Sequence, residues 1–339
     1  MVRIGLVGIG FMGMIHYLAA QKLRGARVGA VCSRDAKKLA GDWTGIRGNF
    51  GPPGAMMDLD AVNKFADYST MLADPDVDLV DICTVTDQHA PMAIAALEAG
   101  KHVLVEKAIA LSVDEADAMI AAAKQAGKLL MVGHVLPFFP EFAFAVEAIE
   151  KRRYGKLLGA HFTRVISKPD WSATISDAAA TGGPAVDLHI HDTHLIGLIA
   201  GVPQAVFSTG VQADGAVVYL TTSYLYGPGG PSISCSSGAL AASGRPFVHG
   251  FDIYCERATL SHSSSGLPLT VYAGDGTSSQ PTLTTGDAVE SFTSELQAAV
   301  DGVVAGRAPR LLGAELARDA LSLCFKEIQS VQSGAVVAV

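Results

Sequence analysis

Between an apolar run, Arg3 to Val7, and a segment whose apolar residues Ile15, Leu18, Ala19 and Leu23 recur at helical spacing, the chain reads Gly8-Ile9-Gly10-Phe11-Met12-Gly13. This stretch restricts the possible folds more than any other. GxGxxG is a weak pattern alone. Here it follows a strand, opens a helix, and is followed by a second strand, "ARVGAVCSR", ending roughly 20 to 25 residues later, as a dinucleotide-binding unit requires. Gly8 permits the tight turn, Gly10 lets the backbone approach a pyrophosphate, and Gly13 lets helix and strand pack closely. The first helical turn, with Phe11 and Met12, offers unpaired N–H groups at the positive end of the helix dipole. The bland alternative is a plain glycine turn in a parallel sheet.

The second strand ends Cys32-Ser33-Arg34, without the carboxylate that normally reads the adenosine ribose of NAD. A small polar Ser33 followed by Arg34 suits a 2′-phosphate, so NADP(H) is favoured and NAD(H) remains possible through Asp35. Arg34 as a solvated surface charge is the competing reading.

Downstream, "DLVDICTVT" reads as a strand, "HAPMAIAALEAG" as a helix, "KHVLVEK" as a strand, "SVDEADAMIAAAKQAG" as a helix opened by a Ser112/Glu115 capping box, and "KLLMVGH" as a strand. This alternation predicts a parallel sheet with helices on both faces, interrupted by a surface loop at Gly45 to Gly54. After about Pro137 one amphipathic helix leads into consecutive strands with Gly/Pro/Ser-rich turns, and two helices close the chain. The expected organisation is a Rossmann α/β domain over 1–133 and an α+β domain over 134–339 with a large open, mostly antiparallel sheet.

The 339 residues carry a net charge of −8, from 25 Lys and Arg against 33 Asp and Glu, and no basic cluster longer than Lys151-Arg152-Arg153, so nucleic acid is not an expected partner. No apolar run approaches the roughly 18 to 20 residues of a membrane span. Five scattered cysteines with no CxxC pair suggest neither a disulfide framework nor a thiolate metal site, and fit a cytoplasmic protein.

Taken in order, "GLVGIGFMG", the block "YSTMLADPDVDLVDICTVTDQHAPMAIAALEAGKHVLVEKAIA" and "GGPAVDLHIHDTHLI" resemble the glucose–fructose oxidoreductase, inositol dehydrogenase and rhizopine-catabolism (GFO/IDH/MocA) family over nearly the whole length. The resemblance implies a homodimer or homotetramer built on the open sheet. It implies that Thr84 and His89 lie on the loop passing the cofactor, with Val85 in place of the usual proline. It also matches Glu106 and Lys107 to the family's Glu-Lys-Pro signature, with Ala108 in place of that proline.

If Gly182 to Ile196 opens a helix, Asp187 and His191 are neighbours on one face with His194 further along the same stripe, while His189 and Asp192 point elsewhere. The family pattern Gly-Gly-x-x-x-Asp-x-x-x-His selects the pair Asp187 and His191. Three readings compete. Asp187 and His191 join Lys107 as an acid/base set for hydride transfer; Asp187, His191 and His194 bind a metal, although no fourth ligand is evident; or the histidines satisfy buried backbone. The first is preferred, with no metal. Lys168 and Trp171 are candidate substrate contacts beside His194; Trp171 as plain packing competes. Pro137 stands where many relatives carry Arg, near His134 at the border of the crevice.

The resulting expectation is an NAD(P)-dependent oxidoreductase acting on a secondary alcohol or ketone of a sugar, polyol or related cyclic compound. The alternatives are an NAD-dependent glycoside hydrolase of the same fold and a non-catalytic cofactor- or sugar-sensing protein.

Overall fold

The computed structural model describes residues 1–168, 177–283 and 288–339. Contacts divide the chain into two compact units, Met1–Phe138 with Gly286–Arg318, and Phe139–Thr285 with Asp319–Val339. The expected boundary, 133/134, falls within five residues of the first division, whereas the return of the chain to the first unit was not foreseen.

The first unit holds β1 (Val2–Val7), α1 (Phe11–Ala20), β2 (Ala26–Cys32), α2 (Ala36–Leu39), β3 (Asn63–Phe65), α3 (Tyr68–Leu72), β4 (Leu79–Ile82), α4 (His89–Glu98), β5 (His102–Glu106), α5 (Val113–Ala126) and β6 (Leu130–Gly133). The strands form a six-stranded sheet in the order β3-β2-β1-β4-β5-β6, parallel throughout. β1, β4, β5 and β6 are buried along almost their whole length, which is why they read as apolar runs without alternation. The register fixes the functional edge. Val7 lies level with Cys32 and Ile82, Ile82 with Val105, and Glu106 with Gly133, so Gly8, Ser33, Cys83, Glu106 and Gly133 sit at one set of strand ends. The capping box forms as expected: the Glu115 N–H donates to Ser112 Oγ at 3.2 Å, and the Glu115 carboxylate accepts the Leu111 N–H at 3.1 Å. The Gly45 to Gly54 loop is tied down, with Phe50 edge-on to Phe11 (4.8 Å between ring centroids) and stacked on Phe292 (5.6 Å).

In the second unit α6 (Pro140–Glu150) precedes β7 (Leu157–Ser167), three short helices, α7 (Ala178–Thr181), α8 (Pro184–Asp187) and α9 (Ile190–Ala200), and then β8 (Ala205–Ala213), β9 (Ala216–Leu225), β10 (Ser232–Ala241), β11 (Val248–Cys255), β12 (Ala258–Ser263), β13 (Leu267–Ala273) and β14 (Ser278–Ser279). α10 (Ala288–Ala305) belongs to the first unit; α11 (Ala314–Ser333) and β15 (Val337–Ala338) complete the chain. Among the described residues the sheet has nine strands, antiparallel except for β10 beside β7. The sequence stretch "HGFDIYCERATLSHS" is a hairpin of β11 and β12 turning at Glu256-Arg257 rather than one strand. α8 packs on β9 through Ala185 against Val217 and Leu220, with Ile328 and Val331 of α11 over them. Among the described residues no helix is long and apolar enough to cross a membrane.

Candidate functional site

The glycine turn has the shape that a pyrophosphate needs. At Gly8, with φ of 90°, a side-chain Cβ would stand 2.7 Å from the Cys83 carbonyl, and at Gly13 it would stand 2.2 Å from Gly8 O. Both glycines are needed by the protein's own packing. Gly10 differs: a Cβ there meets nothing within 4 Å, so its open side faces space that a ligand can take. Gly10 is also the N-cap of α1 and provides no side-chain cap, leaving the N–H groups of the first turn for an anion. The residues present therefore fit a dinucleotide. Substituting Gly10→Ala should leave the melting temperature within about 2 °C of wild type while weakening NAD(P)H binding at least about tenfold; equal losses at Gly10 and Gly13 would mean that Gly10 serves packing alone.

At the end of β2, Ser33 is half-buried and its Oγ accepts the Asp35 N–H at 3.1 Å, and Arg34 is exposed. The Asp35 carboxylate is engaged as the N-cap of α2, accepting the Lys37 N–H at 2.9 Å. Lys38 Nζ donates to Ile9 O, inside the glycine turn, at 2.5 Å.

Thr84 and His89 flank the end of β4, but His89 faces inward. Its Nδ1 lies 2.7 Å from Ala108 O and its Nε2 3.1 Å from Thr84 O, so the ring sits between the two loops that follow β4 and β5. Burial pushes its pKa down, and the neutral ring donates one of these bonds. Lys107 is half-buried at the end of β5, and the Lys107–Ala108 peptide bond is cis where the family signature has proline. Glu106, expected beside the cofactor, is buried: its Oε2 accepts the Lys107 N–H at 3.1 Å and its Oε1 lies 3.0 Å from His16 Nε2.

His16, three residues beyond Gly13, was not singled out in the sequence. Its ring lies between two carboxylates, Asp81 at 2.9 Å from Nδ1 and Glu106 at 3.0 Å from Nε2, with Glu295 of α10 at 4.0 Å. Burial alone would lower its pKa, yet the Asp81 carboxylate and its neighbours carry it well above the usual value. A histidine in an amphipathic helix beside GxGxxG, and a carboxylate at Glu295 on the apolar stripe Val289, Phe292, Leu296, Ala299, were the available signals.

In the second unit the "GGPAVDLHIHDTHLI" stretch is two helices, α8 ending at Asp187 and α9 starting at Ile190, rather than one. Asp187 and His191 are both half-buried. His194, expected on the same stripe, is instead wholly buried, and desolvation pushes its pKa down to about 3, which keeps it neutral. Among the described residues, the donor groups that converge within metal-ligand reach are His16/Asp81/Cys83 and His16/Glu106/Glu295, and the Asp187/His191/His194 stripe is not one of them. His189 and Asp192 turn into the core. Arg164 holds Asp192 through Nε at 2.6 Å and Nη2 at 3.1 Å, and His189 Nε2 meets Glu327 of α11 at 2.6 Å. Burial acts to lower the His189 pKa, and the Glu327 and Asp192 carboxylates together raise it above the usual value. Lys168 is exposed and lies 3.5 Å from Asp214; Trp171 falls outside the described residues.

Comparison with known proteins agrees with this architecture. Residues 2–134 match the GFO_IDH_MocA model, described as an oxidoreductase family with an NAD-binding Rossmann fold. The chain is 30% identical over 254 residues to levoglucosan dehydrogenase of Pseudarthrobacter phenanthrenivorans (68% of this chain, 61% of that protein). It is 29% identical over 219 residues to myo-inositol 2-dehydrogenase of Thermotoga maritima (64% of this chain, 59% of that protein). It thus spans less than two thirds of the length of either relative. A solved structure of levoglucosan dehydrogenase in complex with NADH and levoglucosan superimposes with a TM-score of 0.85 at 20% identity, covering 100% of this chain and 99% of that one, a likeness of fold. Residues 2–134 thus carry the NAD-binding Rossmann domain of the GFO/IDH/MocA oxidoreductase family.

Proposed function

We propose that the protein is an NAD(P)-dependent oxidoreductase that moves hydride between the nicotinamide and a secondary alcohol, or the matching ketone, of a sugar, polyol or related cyclic compound. The observation that carries this reading is the open glycine turn at Gly10 in a chain that also presents half-buried Lys107 at a strand end and half-buried Asp187 and His191 at a helix junction. The names of the two relatives, which act on levoglucosan and on myo-inositol, support the substrate class.

When bound, the nicotinamide supplies the hydride acceptor. His191 is assigned the proton of the reacting hydroxyl, because imidazole titrates near the working pH. Lys107 holds and polarises the reacting oxygen, and Asp187 orients His191 or a substrate hydroxyl. A screen of sugars and polyols with reduced and oxidised cofactor tests the reading; turnover of a glycoside without net change in cofactor would replace it with the hydrolase.

For the cofactor, NADP(H) is favoured. The Asp35 carboxylate is occupied in capping α2, and Arg34, Lys37 and Lys38 bring cationic groups to the segment that follows β2. NADPH should bind at least about tenfold tighter than NADH in parallel calorimetric titrations, and Arg34→Ala should remove most of that preference. Tighter NADH binding would assign the ribose to Asp35. The open sheet carries exposed Phe207, Val211, Leu225, Tyr254 and Tyr272, which supports a homodimer or homotetramer, readable by light scattering.

A further inference from the structure

His16, Cys83 and Glu106 bring to one buried point the glycine-turn helix, the end of β4 and the end of β5, and Glu295 joins them from α10. We propose that Glu295 is held as a neutral carboxylic acid beside Glu106, and that it thereby acts as a positioning residue for Lys107.

The argument begins with charge. His16 is flanked by Asp81 and Glu106 at hydrogen-bonding distance on both ring nitrogens, and its side chain and those of Asp81, Glu106 and Glu295 are 0%, 3%, 7% and 0% exposed. Facing carboxylates on both sides, the ring is an imidazolium with one positive charge. Three ionised carboxyls would leave two negative charges in a site closed to water, an arrangement that like charges and desolvation both oppose. One more proton relieves it. The other titratable neighbours do not supply the missing charge at Glu295. Cys83 stays a thiol because burial and Asp81 raise its pKa, His89 is kept neutral by burial, and Lys107 acts on Glu106. On α10 itself the adjoining side chain is Phe292, its ring 5.7 Å from His16.

Geometry selects the carboxyl that keeps the proton. Asp81 and Glu106 each meet His16 within 3.0 Å, whereas Glu295 comes no nearer than 4.0 Å and neither of its oxygens finds a hydrogen-bond donor among the described residues. A Cβ built on Gly133 would stand 3.5 Å from both Glu106 Oε1 and Glu295 Oε1, so the two carboxyls face the same glycine. Burial and the nearby Glu106 charge both favour the protonated form of Glu295. With Glu295 neutral, Glu106 remains the ionised partner of His16 and the acceptor of the Lys107 N–H at 3.1 Å. Ionising Glu295 would push that charge toward Glu106 and release the backbone hold on Lys107.

Two readouts need no substrate. A carboxyl neutral in the fold and ionised in the unfolded chain contributes stability that is present below its unfolded pKa and lost as pH rises toward its folded one. Glu295→Gln escapes that loss, so its melting temperature relative to wild type should rise by about 2 °C per pH unit between pH 5 and 8. The infrared spectrum of wild type at pH 7 should show a carboxylic-acid C=O band that shifts in D2O and is missing in the variant; the wild-type half of this measurement stands even if the variant misfolds. A flat or opposite melting trend, absence of the band, or a stoichiometric metal in wild type that the variant lacks would overturn the proposal. The third readout rests on the oxidoreductase reading: kcat of wild type should fall on the alkaline side while that of Glu295→Gln does not. Absence of redox activity would overturn that reading and leave the first two measurements intact.

Discussion

Replacing His191 by alanine is expected to lower kcat about 100-fold or more while leaving the affinity for NAD(P)H within about twofold of wild type. His191 is half-buried at the second residue of α9, beyond the junction that ends α8 at Asp187. A side chain that only packed there would show its loss in stability. One that takes the proton of the reacting hydroxyl loses a group needed in the transition state, so kcat and kcat/KM fall together. Steady-state kinetics with a substrate found in the screen, beside calorimetric titration of the cofactor, separates the two. A loss below about tenfold, or a collapse of cofactor binding, would remove His191 from the reaction. Asp187→Asn should give a smaller loss, since an orienting carboxylate acts through its partner.

The second large effect concerns stability. Arg164 and Asp192 form a buried pair, 2.6 Å between Nε and Oδ2, with side chains 6% and 0% exposed. Phe247 lies under the guanidinium at 5.9 Å. Arg164→Ala would strand the Asp192 carboxylate in the core, at a cost of about 3–5 kcal/mol, and should lower the melting temperature by about 4–7 °C. Removing both charges together, Arg164→Met with Asp192→Leu, should recover most of the loss, because the penalty lies in the unpaired ion more than in the missing attraction. Thermal unfolding of the wild type, Arg164→Met, Asp192→Leu and the double variant checks the cycle. Equal losses in the single and double variants would mean that the pair is needed for its charge. The same test bears on the role proposed for His191, since Asp192 follows it directly and anchors α9 to β7.

Much of the dinucleotide unit was legible because its signals are local. Gly13 is forced by the Gly8 carbonyl within the same turn, the buried parallel strands read as apolar runs, and the Ser112/Glu115 cap is written within four residues. The second unit was legible as consecutive strands but not as pairings. β10 lies parallel to β7 across three helices and two strands, and nothing in either segment announces that neighbour. The stripe Asp187, His191, His194 assumes an unbroken helix; the junction at Leu188 and His189 separates Asp187 from the two histidines, and His194 is buried where His191 is half-buried.

The sequence by itself determined the classes of fold, the glycine turn and its ligand chemistry, and the set Lys107, Asp187 and His191 worth testing. Tertiary structure alone decided which charges are shared. Glu295 lies 279 residues from His16, and Glu327 lies 138 from His189, yet each pair meets in the core. A carboxyl on an apolar helix stripe must either meet a partner or keep its proton, because an isolated buried charge is too costly. Which partner it finds depends on chain crossings, such as the return of α10 to the first unit, that no local pattern encodes.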